Sequence, residues 1–135
     1  MKYVFLILAL LVVICKTSSA YELSYDAIKV LDYDAEESVY YCSGRQAASF
    51  QYKQKEQGTE LPTATLLSHT STVLVKMTGE RESKISELVI KGYDDMNNCA
   101  FNTTVNSSEW NECMKINHQC QDVSEDFYGQ FVKKQ

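Results

Sequence analysis

The sequence predicts a mainly α-helical fold, a small bundle or hairpin of helices that disulfides link together. Apolar residues recur every three or four positions through most of the chain, and this spacing is typical of one face of an α-helix. Several of these periodic stretches begin at residues that commonly cap helices. Cysteines lie within the stretches, in a chain whose first residues are typical of export. Together these observations favour helices joined by cystines.

The first twenty residues have the order of a secretory signal peptide. Lys2 supplies an early positive charge, residues 4–15 form an unbroken apolar run, and residues 16–20 end in small side chains that a signal peptidase accepts. Twelve apolar residues are too few for a bilayer core, which needs about 20. We therefore expect cleavage of residues 1–20 and a single secreted helical domain over residues 21–135, extracellular and without a membrane anchor.

The first long helix is predicted at residues 34–57. Asp34 can cap its start, and Glu37 follows three residues later, which is the arrangement of a capping box. Apolar positions then recur at helical spacing, and Gly58 stands where a left-handed residue would end the helix. Tyr40 and Tyr41 are neighbours in this helix, so we expect one of the two to be exposed or covered by another part of the chain.

Residues 63–92 allow two interpretations. An apolar stripe at helical spacing runs through them and continues to Cys99, whereas the β-branched side chains at residues 70–79 alternate as in a strand. The sustained three-four spacing of the second half favours helix. An α+β fold with a hairpin around residues 70–92 is the alternative, and we expect a break near Gly79 in both cases.

The last helix is the clearest in the sequence. Asn106, Ser107 or Ser108 can cap its start, and apolar or small side chains from Trp110 to Phe131 keep to one face for several turns. The connector before it carries two N-x-[ST] sequons. We expect this connector to lie on the surface and to carry at least one N-linked glycan. The predicted glycan acceptors are Asn102 and Asn106.

Four cysteines remain after cleavage, and in an exported chain we expect them to form two disulfides. Cys113 and Cys120 are seven residues apart on one predicted helix. Their Cα atoms would lie about 10 Å apart, whereas a disulfide needs about 4.4–6.8 Å. In an antiparallel hairpin, Cys99 lies nearer to Cys113 than to Cys120. The preferred pairing is therefore Cys99–Cys113 with Cys42–Cys120.

Charge and motifs exclude several classes of function. Without the signal the chain has 11 basic and 18 acidic residues, a formal charge of −7, which disfavours nucleic acid and anionic membrane surfaces as partners. His118 lies between Cys113 and Cys120, but on a helix the three side chains diverge, so no metal site is predicted. His69 has no nucleophile motif near it. We expect neither an enzyme nor a cofactor.

Residues 93–99, Tyr-Asp-Asp-Met-Asn-Asn-Cys, resemble a segment of small secreted insect proteins of the tsetse EP domain type. The resemblance covers about residues 83–120. It extends to a signal peptide, helices rich in Ser and Thr, spaced cysteines and sequons. It implies an all-helical extracellular protein associated with secretory tissues such as gut, and it supplies no catalytic residue.

We expect the protein to act by binding another extracellular macromolecule, a protein or a glycan. The basis is export, the lack of a catalytic motif, and an acidic chain rich in tyrosine, a residue common in binding surfaces. The alternative is a helical carrier that holds a small apolar ligand between its helices. The candidate lining residues for such a ligand are Phe50, Leu88, Met96, Met114 and Phe127.

Overall fold

The structure, a computed structural model, describes residues 29–134, with side chains to residue 130. This part of the chain forms four α-helices and no strand. The helices are α1 (Ala35–Gln57), α2 (Thr63–Thr78), α3 (Glu82–Asn102) and α4 (Ser108–Lys134). The prediction of a mainly α, disulfide-linked bundle is confirmed. The predicted signal peptide and the first residues after it lie outside the described residues.

Helix α1 has the predicted bounds because its local sequence sets both ends. The Asp34 carboxylate accepts a hydrogen bond from the Glu37 backbone N–H at 2.8 Å. The Glu37 carboxylate in turn accepts one from the Asp34 N–H at 3.0 Å, which completes the capping box. Gly58 ends the helix with a φ of 70°, a conformation that favours glycine.

The alternative of a hairpin around residues 70–92 is wrong, because helices occupy both sides of Gly79. Gly79 has a φ of 73°, and its N–H donates to the Val75 carbonyl at 2.8 Å, so it caps α2 instead of turning a hairpin. The helix cost of β-branched residues is only some tenths of a kcal/mol each. Burial of Leu66 and Leu74 along one face of α2 outweighs that cost.

Helix α1 is the central element of the bundle, with α3 and α4 packed along it. Tyr40 and Tyr41 are therefore both buried, with exposed fractions of 0% and 1%. Each is covered from a different side. The Tyr41 hydroxyl donates to the Asp95 carboxylate on α3, whereas Tyr40 lies against Thr78 at the end of α2. Neither tyrosine is exposed. Of the two predicted arrangements, the one in which another part of the chain covers the second tyrosine is therefore correct.

Two glycines bring the backbones of α1 and α3 into direct contact. A methyl group on Gly44 of α1 would overlap the carbonyl oxygen of Val89, and one on Gly92 of α3 would overlap the carbonyl oxygen of Tyr41. No larger residue fits at either position without separating the helices. The α1–α3 interface is therefore the closest helix pairing of the fold.

The buried side chains divide into two clusters along the bundle. One surrounds the start of α1 and holds the pair Cys42–Cys120 together with Ile85 and Phe127. The other surrounds the second half of α1 and holds the pair Cys99–Cys113. Each cluster thus contains one disulfide. Within residues 29–134, no helix combines the length and the apolar composition needed to cross a bilayer.

Candidate functional site

The cysteines form the pairing that the sequence analysis preferred. Cys42 and Cys120 connect α1 to α4 with Cα atoms 5.0 Å apart, across 78 residues of chain. Cys99 and Cys113 connect the end of α3 to the start of α4 with Cα atoms 6.1 Å apart, across 14 residues. Three of the four helices are therefore tied covalently, and α2 contains no cysteine.

The five candidate lining residues do not enclose a common cavity. Phe127 belongs to the first core cluster and Leu88 packs against it. Met96 belongs to the second cluster and Met114 packs against it. Phe50 lies on the surface with 51% of its area exposed. The structure separates these residues because α1 fills the centre of the bundle, where a carrier of this design would hold its ligand.

One candidate binding surface is an open groove between α1 and α2, closed at one edge by α4. Its volume is about 310 Å³. Buried Ala47, Leu66 and Leu74 form part of its apolar lining. Phe50 and Tyr128 flank it with 51% and 46% of their areas exposed. With Val73 these residues make up the apolar part of the surface, which we name the aromatic groove.

The polar side chains that line the aromatic groove are Ser43, Gln46, His69 and Thr70, and none of them is a carboxylate, a lysine or an arginine. Gln46 accepts a hydrogen bond from Ser124 of α4 at 2.7 Å, so the α1 and α4 sides of the groove are connected. His69 lies exposed on α2. The groove therefore presents apolar and polar groups without any Asp, Glu, Lys or Arg, in a chain with a net negative charge.

A second candidate surface is a cleft of about 450 Å³ between α3 and α4. Its lining includes Tyr41 and Arg45 of α1, both cysteines of the Cys99–Cys113 pair, and the apolar side chain of Ile116. The carboxylates that line it come from one position on α3 and two on α4. They are Asp95, Glu109 and Glu112. We name this surface the cystine cleft.

Arg45 is a buried cation, with only 3% of its area exposed. Its guanidinium donates to Asn117 Oδ1 at 3.0 Å, to the Tyr41 hydroxyl at 3.1 Å and to the Cys113 carbonyl oxygen at 3.2 Å. No carboxylate among the described residues lies within ion-pair distance of it. Neutral acceptors therefore solvate this charge, and the Tyr41 hydroxyl connects it to Asp95.

Burial raises the pKa values of two tyrosines of α1. Removal from water and, to a lesser degree, the hydrogen bond to Asp95 together raise the pKa of Tyr41 to about 12, against the opposing effect of Arg45. Burial likewise raises the pKa of Tyr40 well above 10.0.

Sequence reasoning missed Arg45, although it lies four residues after Tyr41 and three after Cys42, on the face of α1 that is buried.

The two sequons lie at the turn between α3 and α4. Asn102 is the last residue of α3, and Asn106 lies in the turn with a φ of 69°. Both side chains are exposed. The two most exposed large apolar side chains of the described residues are next to them, Phe101 at 70% and Val105 at 64%.

The side chains of Cys113, His118 and Cys120 diverge on α4, as the sequence predicts. His118 is exposed on α4, while Cys113 and Cys120 are in different disulfides. Within residues 29–134, no three His, Cys, Asp or Glu side chains are grouped closely enough to hold a metal ion.

No protein-family model, curated protein or solved structure matches the chain. The resemblance to the EP domain type therefore stays a prediction.

Proposed function

We propose that this chain is an exported, non-enzymatic binding protein that engages an extracellular protein through the aromatic groove. The observation that carries the proposal is the pair of half-exposed aromatic side chains, Phe50 and Tyr128, beside an apolar lining. Exposed aromatic and aliphatic groups around a concave surface are common at the centre of protein interfaces. The order of residues 1–20 and the two cystines support export.

The chemistry of the groove favours a protein partner over a glycan. Its buried lining residues are aliphatic, and no Asp, Glu, Lys or Arg lines it. An amphipathic helix of a partner can place apolar side chains there, as in other helix-in-groove complexes. Burying Phe50 and Tyr128 in this way would remove from water the apolar surface that now faces solvent.

Variant capture from extracellular fluid tests this proposal. The double variant Phe50→Ser, Tyr128→Ser removes both aromatic flanks, and Ile90→Ser is the matched control. Ile90 lies on α3, outside the groove lining, and its 45% exposure equals that of Tyr128 to within one percentage point. Each tagged full chain is secreted from eukaryotic cells, and bound proteins are measured by quantitative mass spectrometry.

We expect one protein to be captured by the wild type and by Ile90→Ser. We expect the double variant to capture at least about tenfold less of it, because removal of hot-spot residues from an interface weakens binding by this much. Equal capture by all three proteins would place the binding surface elsewhere. Capture that disappears when glycans are stripped from the fluid would instead make a glycan the partner.

A second candidate function, the carriage of a small apolar ligand, is favoured by the cystine cleft alone. Leu31, Ile116 and the Cys99–Cys113 pair supply apolar surface in a volume large enough for a small molecule. Three carboxylates line the same cleft, so a neutral ligand fits it better than a fatty-acid anion does.

Native mass spectrometry of the secreted protein tests this second function. Leu31 has a φ of 54°, a backbone conformation that asparagine tolerates, so Leu31→Asn removes apolar surface from the cleft without straining the turn. We expect a small adduct on the wild type and its loss from Leu31→Asn, with Ile90→Ser unchanged. A wild type without an adduct contradicts the carrier function and leaves the protein-binding proposal to its own test.

A further inference from the structure

We propose that N-linked glycans on Asn102 and Asn106 cover an apolar tip of the molecule formed by Phe101 and Val105. The inference rests on the export that the proposed function includes, and it is independent of the aromatic groove. The glycans would cover apolar surface at the turn between α3 and α4.

The tip is exposed to an unusual degree. Phe101 and Val105 have 70% and 64% of their areas exposed, more than any other large apolar side chain of the described residues. Phe101 meets Tyr52 edge to face, with ring centroids 5.7 Å apart, and the rest of its surface faces outward. Phe101 lies in the last turn of α3 and Val105 in the turn that follows, and apolar surface exposed at one place promotes association unless something covers it.

The local sequence supplies no charge that would keep the tip hydrated. Residues 96–108 contain no Asp, Glu, Lys or Arg, although charged residues make up 23% of the chain. Charged side chains interspersed on a surface are the usual protection against association. A covalently attached glycan is bulky and strongly solvated, and therefore supplies the same protection.

The acceptor side chains flank the tip in sequence and are accessible. Asn102 follows Phe101 directly, and Asn106 follows Val105 directly. Asn102 Nδ2 donates to Asn98 Oδ1 at 2.9 Å, an exposed hydrogen bond that leaves the side chain on the surface. Asn106 has a left-handed backbone, which asparagine tolerates better than most residues. A glycan on each acceptor therefore starts beside one of the two exposed apolar side chains.

The experiment removes the sequons without altering the acceptors. Thr104→Ala and Ser108→Ala abolish the two sequons, and both side chains are exposed. The hydrogen bond of Asn102 to Asn98 and the left-handed Asn106 are retained, and Ser107 Oγ still caps α4 by accepting from the Trp110 N–H at 3.1 Å. A second protein adds Phe101→Ser and Val105→Ser to these two changes.

Full-length chains are secreted from eukaryotic cells and compared by intact mass, by binding of the hydrophobic dye ANS and by sedimentation velocity. We expect two glycans on the wild type. We expect the sequon-free protein to bind at least about twofold more dye than the wild type and to self-associate. The quadruple variant should lose both effects. If the sequon-free chain fails to fold, trimming of the folded wild type by an endoglycosidase, which leaves one uncharged sugar on each Asn and creates no Asp, gives the same comparison.

Three results would overturn the inference. They are a secreted wild type without glycans, a glycan-free protein with unchanged dye binding and sedimentation, and an increase that persists in the quadruple variant. None of these results bears on capture through Phe50 and Tyr128. The two proposals therefore fail separately.

Discussion

Helices α2 and α3 pack against the same central helix in different ways. At the α1–α3 interface, Gly44 and Gly92 let the two backbones touch, and the buried Tyr41 hydroxyl bonds across to Asp95. Helix α2 buries only four residues, and no disulfide ties it to the bundle. These four residues are Leu66, Ser71, Leu74 and Thr78.

The difference shows where the fold can tolerate change. The two cystines tie α1, α3 and α4 into a frame, and at the α1–α3 interface even a methyl group added at Gly44 or Gly92 would clash. Helix α2 is held by its apolar strip and by Thr63, whose Oγ1 accepts from Gln51 of α1 at 3.2 Å and lies 3.1 Å from the Tyr93 hydroxyl of α3. The aromatic groove therefore has α1 as a rigid wall and α2 as a wall that can adjust to a partner.

Removal of the disulfides should have the largest effect on this frame. Replacing both Cys42 and Cys120 by Ala should lower the free energy of unfolding by about 4 kcal/mol, because a long loop is released in the unfolded chain. Replacing Cys99 and Cys113 releases a much shorter loop and should cost about 3 kcal/mol. Guanidinium unfolding measures both. A larger loss for the Cys99–Cys113 pair would contradict the account of the frame.

Methyl groups at the glycine contacts should have the next largest effect. Gly92→Ala places a Cβ against the Tyr41 carbonyl oxygen, so the helices must separate, at a cost of about 3 kcal/mol. Gly129 is the matched control, since a methyl group there meets nothing within 4 Å among the described residues. Gly129→Ala should stabilise the protein by about 0.5–1 kcal/mol. Equal effects in thermal unfolding would show that the helices are not in backbone contact.

High pH should weaken the frame through Tyr41. Its pKa is about 12 in the folded protein and 10.0 when unperturbed, so the unfolded chain loses this proton first. Stability is complete below pH 10.0 and falls as the pH rises toward 12. Tyr41→Phe should be less stable at neutral pH and should show a shallower decline above pH 10.0. Urea unfolding across this pH range measures the slope, and an unchanged slope would exclude Tyr41 as a source.

Hydrogen exchange should show the smallest difference, a local one. Amides in α2 should exchange through openings of lower free energy than those in α1 and α3, because α2 has fewer buried residues and no covalent tie. Native-state exchange read by mass spectrometry measures this. Equal protection in all three helices would mean that α2 is as firmly held as the frame.

Local features of the fold were predictable, whereas features that depend on packing were not. The capping box at Asp34 and Glu37 and the stops at Gly58 and Gly79 depend on a few adjacent residues, so they follow from the sequence. Helix geometry excludes Cys113–Cys120, and the expected antiparallel hairpin then favours Cys99–Cys113 with Cys42–Cys120, the pairing that the structure has.

The candidate surfaces required the positions of the helices. A periodic stripe shows which face of a helix is buried but not which end of the bundle it occupies, so Leu88 and Met96 were grouped although they lie in different clusters. Burial of Arg45 depends on acceptors 68 and 72 residues away in the chain, Cys113 and Asn117. The aromatic groove likewise requires the packing of α1 against α4, which places Phe50 and Tyr128 along the same concave surface.

Export and the two cystines can be tested together by a non-reducing peptide map of protein secreted from eukaryotic cells. We expect an N-terminus at Tyr21 and two linked peptide pairs, one joining Cys42 to Cys120 and the other joining Cys99 to Cys113. A chain that retains residues 1–20, or cysteines that are all alkylated without reduction, would contradict this expectation.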